Sequence, residues 1–92
     1  MLYTFHKIKA ALDSEDPEGL LAMGAPADEY DGEASLMEGR IARVAGGAVS
    51  ADRIAEIVAE IWDLQFGPFD PEDLDKRRMA FSSVARKIVT SA

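Results

Sequence analysis

The stretch "IAEIVAEIW", Ile54 to Trp62, constrains the fold more than any other part of the chain. Its apolar residues Ile54, Ile57, Val58, Ile61 and Trp62 recur at alternating helical spacings, which puts them on one stripe of an α-helix. A stripe that continuous is stable only under cover, so other elements must pack on it. Ser50 is a good N-cap and Gly67-Pro68 a break, so the spacing predicts a helix over Ala51–Phe66, with Leu64 counted in its apolar set.

Three further segments carry the same period. The first runs from Leu2 to Leu12 with Phe5, Ile8 and Leu12 along one face and Ala11 beside them. It stops near Asp13-Ser14-Glu15, whose side chains compete for backbone hydrogen bonds. The second starts at Asp31 and reaches Val44, with Met37, Ile41 and Val44 inward, Ala34 and Leu36 flanking, and Gly46-Gly47 ending it. The last is capped by Asp70-Pro71, carries Glu72 and Asp73 in its first turn, and turns Leu74, Phe81, Val84, Ala85 and Ile88 inward. It is expected to end with Arg86 and Lys87 at the negative end of its dipole. Asp16-Pro17 opens a short helical turn through Leu21, closed by Gly24 and Pro26. No segment alternates like a strand, and short connections favour antiparallel neighbours. The expected fold is all-α: a compact bundle of four helices plus one short helical turn, mostly antiparallel, as a single domain over residues 1–92.

Size and composition narrow the functions such a bundle can hold. A chain of 92 residues has one thin core and no space for a deep substrate cavity beside a second domain. It has no cysteine, which excludes disulfides, thiolate metal sites and cysteine nucleophiles. No run approaches the ~20 apolar residues that span a bilayer, and the N-terminus lacks the unbroken apolar centre of a signal peptide, so the expectation is cytoplasmic with no membrane association. The formal net charge is −7, unevenly spread. Nine acids and no Lys or Arg lie between Ala10 and Gly39, whereas five cations and no acid lie from Lys76 onward. An acidic front half repels phosphate backbones, so nucleic acid is not an expected partner.

The acids crowd most closely in "GAPADEYDGEASLMEGR", where Asp28, Glu29, Asp31, Glu33 and Glu38 precede the first cation, Arg40. A calcium loop with Gly32 at its sixth position would have Glu29 third, Asp31 fifth and Glu38 twelfth, but its first ligand position is Ala27. Without that leading carboxylate the loop is a poor metal site, and no metal or other cofactor is expected. Acids at a helix start favour the dipole, with Asp31 capping the second helix and Glu33 in its first turn. Tyr30 between them is expected to pack back like a hydrophobic staple, held by Pro26 and Ala27; exposed, it would be an anchor for a partner.

Catalysis has little to stand on. His6 is the only histidine, the serines have no neighbouring base, and no glycine-rich loop precedes a helix, so the chain is not expected to be an enzyme. Glu56, Glu60 and Asp63 share a face of the third helix and read as solvated. Trp62, Phe66, Phe69 and Met79 are expected to close one end of the core; left exposed, Trp62, Phe66 and Phe69 would pair two copies across a twofold axis.

The segment "DPEGLLAMGAPADEYDGEASLMEGRI" resembles the YugE-like family of small bacterial proteins, a domain of unknown function. The likeness rests on Asp16, Pro17, Leu20, Leu21, Pro26, Asp28, Glu29, Tyr30 and Asp31. It is extended by "SADRIAEIVAEIW…FG", so that it spans Lys7 to Val89. Glu15 departs from the aromatic that the family often carries there. The resemblance implies an all-α fold in a bacterial cytoplasm and no activity; analogy with small acidic immunity proteins goes one step further. The reading is a small acidic protein-binding module of immunity or adaptor type, with Asp28, Glu29, Tyr30, Asp31 and Glu33 contacting a basic protein partner. Divalent-metal or small-ligand binding at the same carboxylates, and a self-associating structural protein, are the alternatives.

Overall fold

The computed structural model describes residues 3–44 and 49–91. Its four helices are α1 (Phe5–Glu15), α2 (Asp31–Val44), α3 (Ala51–Phe66) and α4 (Pro71–Ser91). Each helix packs on two others, α1 on α2 and α4, α3 on α2 and α4, which closes a four-sided bundle. Phe5 of α1 meets Glu38 of α2 while Lys9 meets Asp31, so residue numbers run in opposite senses and the pair is antiparallel. The radius of gyration, 12.3 Å, is that of a fully packed chain of this length.

The stripe on α3 is the centre of the core. Ile54, Ile57, Val58, Ile61 and Trp62 are all buried, against Ile8, Ala11 and Leu12 of α1, Ala34, Met37 and Ile41 of α2, and Phe81, Val84, Ala85 and Ile88 of α4. Three residues expected inside or on the flank are outside: Leu64 is 73% exposed, and Val44 and Leu36 are also on the surface. Leu64 lies beyond the stripe defined by Trp62, and Val44 closes a helix whose last turn has left the core. In place of Val44, α2 buries Glu33 at its start.

Ends differ from expectation in instructive ways. α1 begins at Phe5 because Thr4 takes the cap: its Oγ1 accepts from Lys7 N at 3.3 Å, and Glu38 reaches across to accept from Phe5 N at 2.8 Å; the expected first residue, Leu2, lies outside the described residues. At its other end α1 stops at Glu15, within the expected Asp13-Ser14-Glu15 stop, where Asp16 adopts the left-handed conformation (φ 47°) and its N–H bonds Leu12 O. Ser50 and Asp70 cap α3 and α4 as expected, accepting from Arg53 N and Asp73 N. α4 runs a turn past Lys87, which spends its charge on Ser14 and Glu15 of α1 instead of on its own helix end. The expected Gly46-Gly47 stop lies outside the described residues.

Gly67 turns the chain from α3 to α4 at very close quarters. Its N–H bonds Asp63 O, and a Cβ there would lie 2.5 Å from that oxygen and 2.8 Å from Phe69 N. Gly39, inside α2, faces open space. The two glycines therefore respond oppositely to alanine. Gly67→Ala is expected to lose about 1–3 kcal/mol through backbone displacement, and Gly39→Ala to gain about 1 kcal/mol from helix propensity. Thermal melts read both, since each kcal/mol moves Tm by about 4–8 °C in a domain of this size.

Candidate functional site

The connection from Asp16 to Tyr30 leads into the acidic segment and carries its first two acids, Asp28 and Glu29, and it is fastened at three places. Tyr30, immediately before α2, is 0% exposed and packs against Trp62 with ring centroids 5.7 Å apart. Its hydroxyl donates to Asp16 Oδ1 at 2.7 Å and accepts from Glu18 N at 3.1 Å. The same Asp16 carboxylate accepts from Leu21 N and Ala22 N, which folds residues 17–24 into successive turns, not a regular helix. Asp16 is thus the end of α1 and the hub of the connection, where capping of a following helix was expected. Gly24, with φ 96°, supplies the turn that releases the chain toward Pro26.

Glu18 makes the second fastening. Its Oε2 accepts from the Trp62 indole N–H at 2.8 Å and from Arg77 Nε at 2.7 Å, while Oε1 accepts from Arg77 Nη2 at 3.0 Å. The guanidinium also donates to Asp73 O and lies 4.2 Å from the Phe69 ring centroid. A bidentate, charge-assisted pair of this kind is among the stronger polar contacts a protein makes. It joins the connection to α3 and α4 together.

Lys9 makes the third. From α1 its ammonium donates to Ala27 O and Asp31 Oδ1, both at 2.7 Å, and pairs with Asp13 at 3.1 Å. Asp31 therefore neutralises a lysine on α1 where a cap on α2 was expected. Glu38 caps α1, and Glu33 is 7% exposed. Of the five acids that crowd this segment, only Asp28 and Glu29 are exposed.

The expected contact set Asp28, Glu29, Tyr30, Asp31 and Glu33 is accordingly divided. Tyr30 packs inward as a staple, since Trp62, Asp16 and the Glu18 amide satisfy both its ring and its hydroxyl, so it presents no anchor at the surface. Glu33 is likewise inside. Trp62, Phe66 and Phe69 do close the core: Trp62 is 0% exposed, Phe66 stacks on it at 5.1 Å, and Phe69 is half-covered beneath Arg77. No twofold pairing passes through a buried Trp62. Met79, expected to join them, is 85% exposed on α4. Among the described residues no group of three or more His, Asp or Glu side chains converges as metal ligands, and no helix is long and apolar enough to cross a membrane. Glu56 and Glu60 pair with Arg53 and Arg40 on the outside, and Asp63 accepts from Phe69 N.

Electrostatics follow from these contacts. The Arg77 guanidinium, with help from the Trp62 N–H, holds Glu18 below the ordinary carboxyl range against the cost of burial. The Tyr30 hydroxyl does the same for Asp16, with the amides of Ala22 and Leu21, and Lys87 does it for Glu15. Burial, reinforced by Asp16, pushes the Tyr30 phenol up to about 12. Glu33 moves the other way from Glu15, Asp16 and Glu18, raised by burial and by the nearby Glu29 charge.

No protein-family model matches the chain, and comparison with curated proteins and with solved structures finds no match.

Tyr30→Phe keeps the ring but leaves the Glu18 amide without its partner and Asp16 Oδ1 with the Leu21 amide alone, at an expected cost of about 1–3 kcal/mol. A red shift of Trp62 emission at unchanged helical circular dichroism would show that the Trp62 end loosens first. The pH profile of Tm should have a maximum on the mildly acidic side. Glu33 binds its proton more tightly in the folded state, so stability rises as pH falls through its raised folded value toward the ordinary 4.5. Glu15, Glu18 and Asp16 hold theirs less tightly when folded, so their contribution is lost as pH drops further through their lowered folded values. On the alkaline side Tyr30 keeps its proton longer than in the unfolded chain, and stability declines from pH 10 towards 12. Glu33→Gln should raise Tm at neutral pH and remove the acid-side rise.

Proposed function

We propose that this protein is a small acidic protein-binding module of immunity or adaptor type, and that it meets a basic protein partner through the connection ahead of α2. The observation that carries the proposal is the exposure of Asp28 and Glu29 on a segment fastened by Lys9, Tyr30 and Glu18. A charged surface held in one conformation binds without the entropy cost of ordering a loop. Asp31, half-exposed beside Lys9, completes the acidic edge, while Tyr30 and Glu33 serve it from beneath.

Met23, 79% exposed on the same connection, takes the anchoring role that a surface tyrosine would have had. Methionine is unbranched and adapts to an irregular apolar pocket. The net charge of −7 adds long-range attraction, which speeds encounter with a cationic partner. The resemblance to the YugE-like family, carried by Asp16 and the Asp28–Asp31 segment, belongs to the same proposal, as do a bacterial cytoplasmic setting and a non-catalytic role.

Reversal of Asp28 and Glu29 to lysine tests the reading. Both side chains are in solvent, so Tm should change by less than about 0.5 kcal/mol in equivalent stability. Proteins captured from host lysate by the wild type at low salt should be lost by the double variant, and capture by the wild type should weaken as salt is raised. Identical capture by the two chains would contradict the proposal.

A further inference from the structure

α3 and α4 leave a furrow between them, a cavity of about 390 Å³ open to solvent. Its floor is Ala55 and Ala59, one turn apart on α3, with Leu74 and Phe81 from α4. The small side chains let another backbone come close, and the floor is apolar. The rims carry opposite charge. Asp52, Glu56 and Glu60 form a ladder along α3, each one turn from the next. Arg78 stands on the α4 side and also lines the adjoining hollow with Met79 and Arg86. Arg78 and Arg86 are separated by as many residues as Asp52 and Glu60, so the two rows have the same length, about 12 Å. Met79, the most exposed large apolar side chain among the described residues, lies on the basic ridge.

The geometry points to a second copy of this chain as the occupant of the furrow. A ligand of one charge sign, a basic or an acidic helix, is attracted to one rim and repelled by the other. A chain that carries both rows satisfies both. With a twofold axis lying along the furrow, the second copy's α3 sits over this copy's α4 at the same height along the axis. The acid ladder of each copy then faces Arg78 and Arg86 of the other, and the interface is self-complementary, as a twofold interface must be. Met79 is covered in the same step. Of the pairs already on the rims, Glu56 with Arg53 and Arg78 with Asp75 are exposed and join residues on the same helix, so exchanging them costs little; Glu60 keeps its surface pair with Arg40 of α2, which leaves Asp52 and Glu56 as the free part of the ladder. A twofold interface of ordinary size takes about 800 Å² from each partner, a modest part of the 5221 Å² of surface present. This face is separate from the Asp28–Glu29 edge, so one copy of the partner surface remains on each chain.

Sedimentation equilibrium of the whole chain, from about 10 μM to about 1 mM, reads the result, since weak interfaces associate in that range. The wild type is expected to shift from monomer to dimer, and to shift back at high salt. Asp52→Lys/Glu56→Lys gives a chain with two basic rims, and Arg78→Glu/Arg86→Glu gives one with two acidic rims. Each should raise the dimer dissociation constant by about tenfold or more while its helical circular dichroism matches the wild type. An equimolar mixture of the two should form a heterodimer at least as readily as the wild type forms its homodimer. A wild type that stays monomeric at the highest concentration overturns the proposal. So does a dimer that both reversals leave intact, or two monomeric variants that fail to associate on mixing.

Discussion

Glu18 is the point on which the rest of the structure depends. Taking a carboxylate partly out of water is unfavourable unless its oxygens are filled, and here Trp62 and Arg77 fill them from two different helices. The consequence reaches well beyond one ion pair. The connection from Asp16 to Tyr30 is long for a bundle of this size, and a free loop of that length would leave the Trp62 end of the core open. With Glu18 pinned, Leu20 and Leu21 press on the core, and Tyr30 closes over Trp62. The aromatic group of Tyr30, Trp62, Phe66 and Phe81 is then sealed from above by a polar lid in which each bond supports the next.

That arrangement explains why so acidic a segment folds. Like charges packed together repel, and the chain disperses them by giving each a separate task. Asp16 organises turns, Glu18 ties three elements, Asp31 balances Lys9, and Glu38 caps α1 from across the bundle. Asp28 and Glu29 are left over for the surface, which is why the binding proposal rests on them. Asp16, Tyr30 and Asp31 are fasteners, so much of this acidic stretch is architecture before it is surface.

Much of the fold was legible from periodicity. α3 begins and ends where its stripe, its Ser50 cap and its Gly67-Pro68 break put it, and α2 starts at Asp31 as its stripe requires, because those signals are local. The misses arise where a residue's partner is distant in sequence. Nothing near Glu18 announces Arg77, fifty-nine positions on, and nothing near Lys9 announces Ala27 and Asp31. Val44 fits a helical count but lies in the exposed last turn of α2, and Leu64 faces outward between Trp62 and Phe66. Tyr30 could be placed inside from its staple-like position, yet its hydroxyl partners, Asp16 and the Glu18 amide, depend on how the turns ahead of it close.

The central claim is that the acidic connection is fixed structure and not a mobile loop. Amide hydrogen exchange of the unmodified protein, resolved by residue, tests it most directly. The Glu18, Leu21 and Ala22 amides, which donate to Tyr30 and Asp16, should be protected to a degree comparable with the core of α3. Exchange of all three at the rate of an open chain, with α3 still protected, would contradict the account.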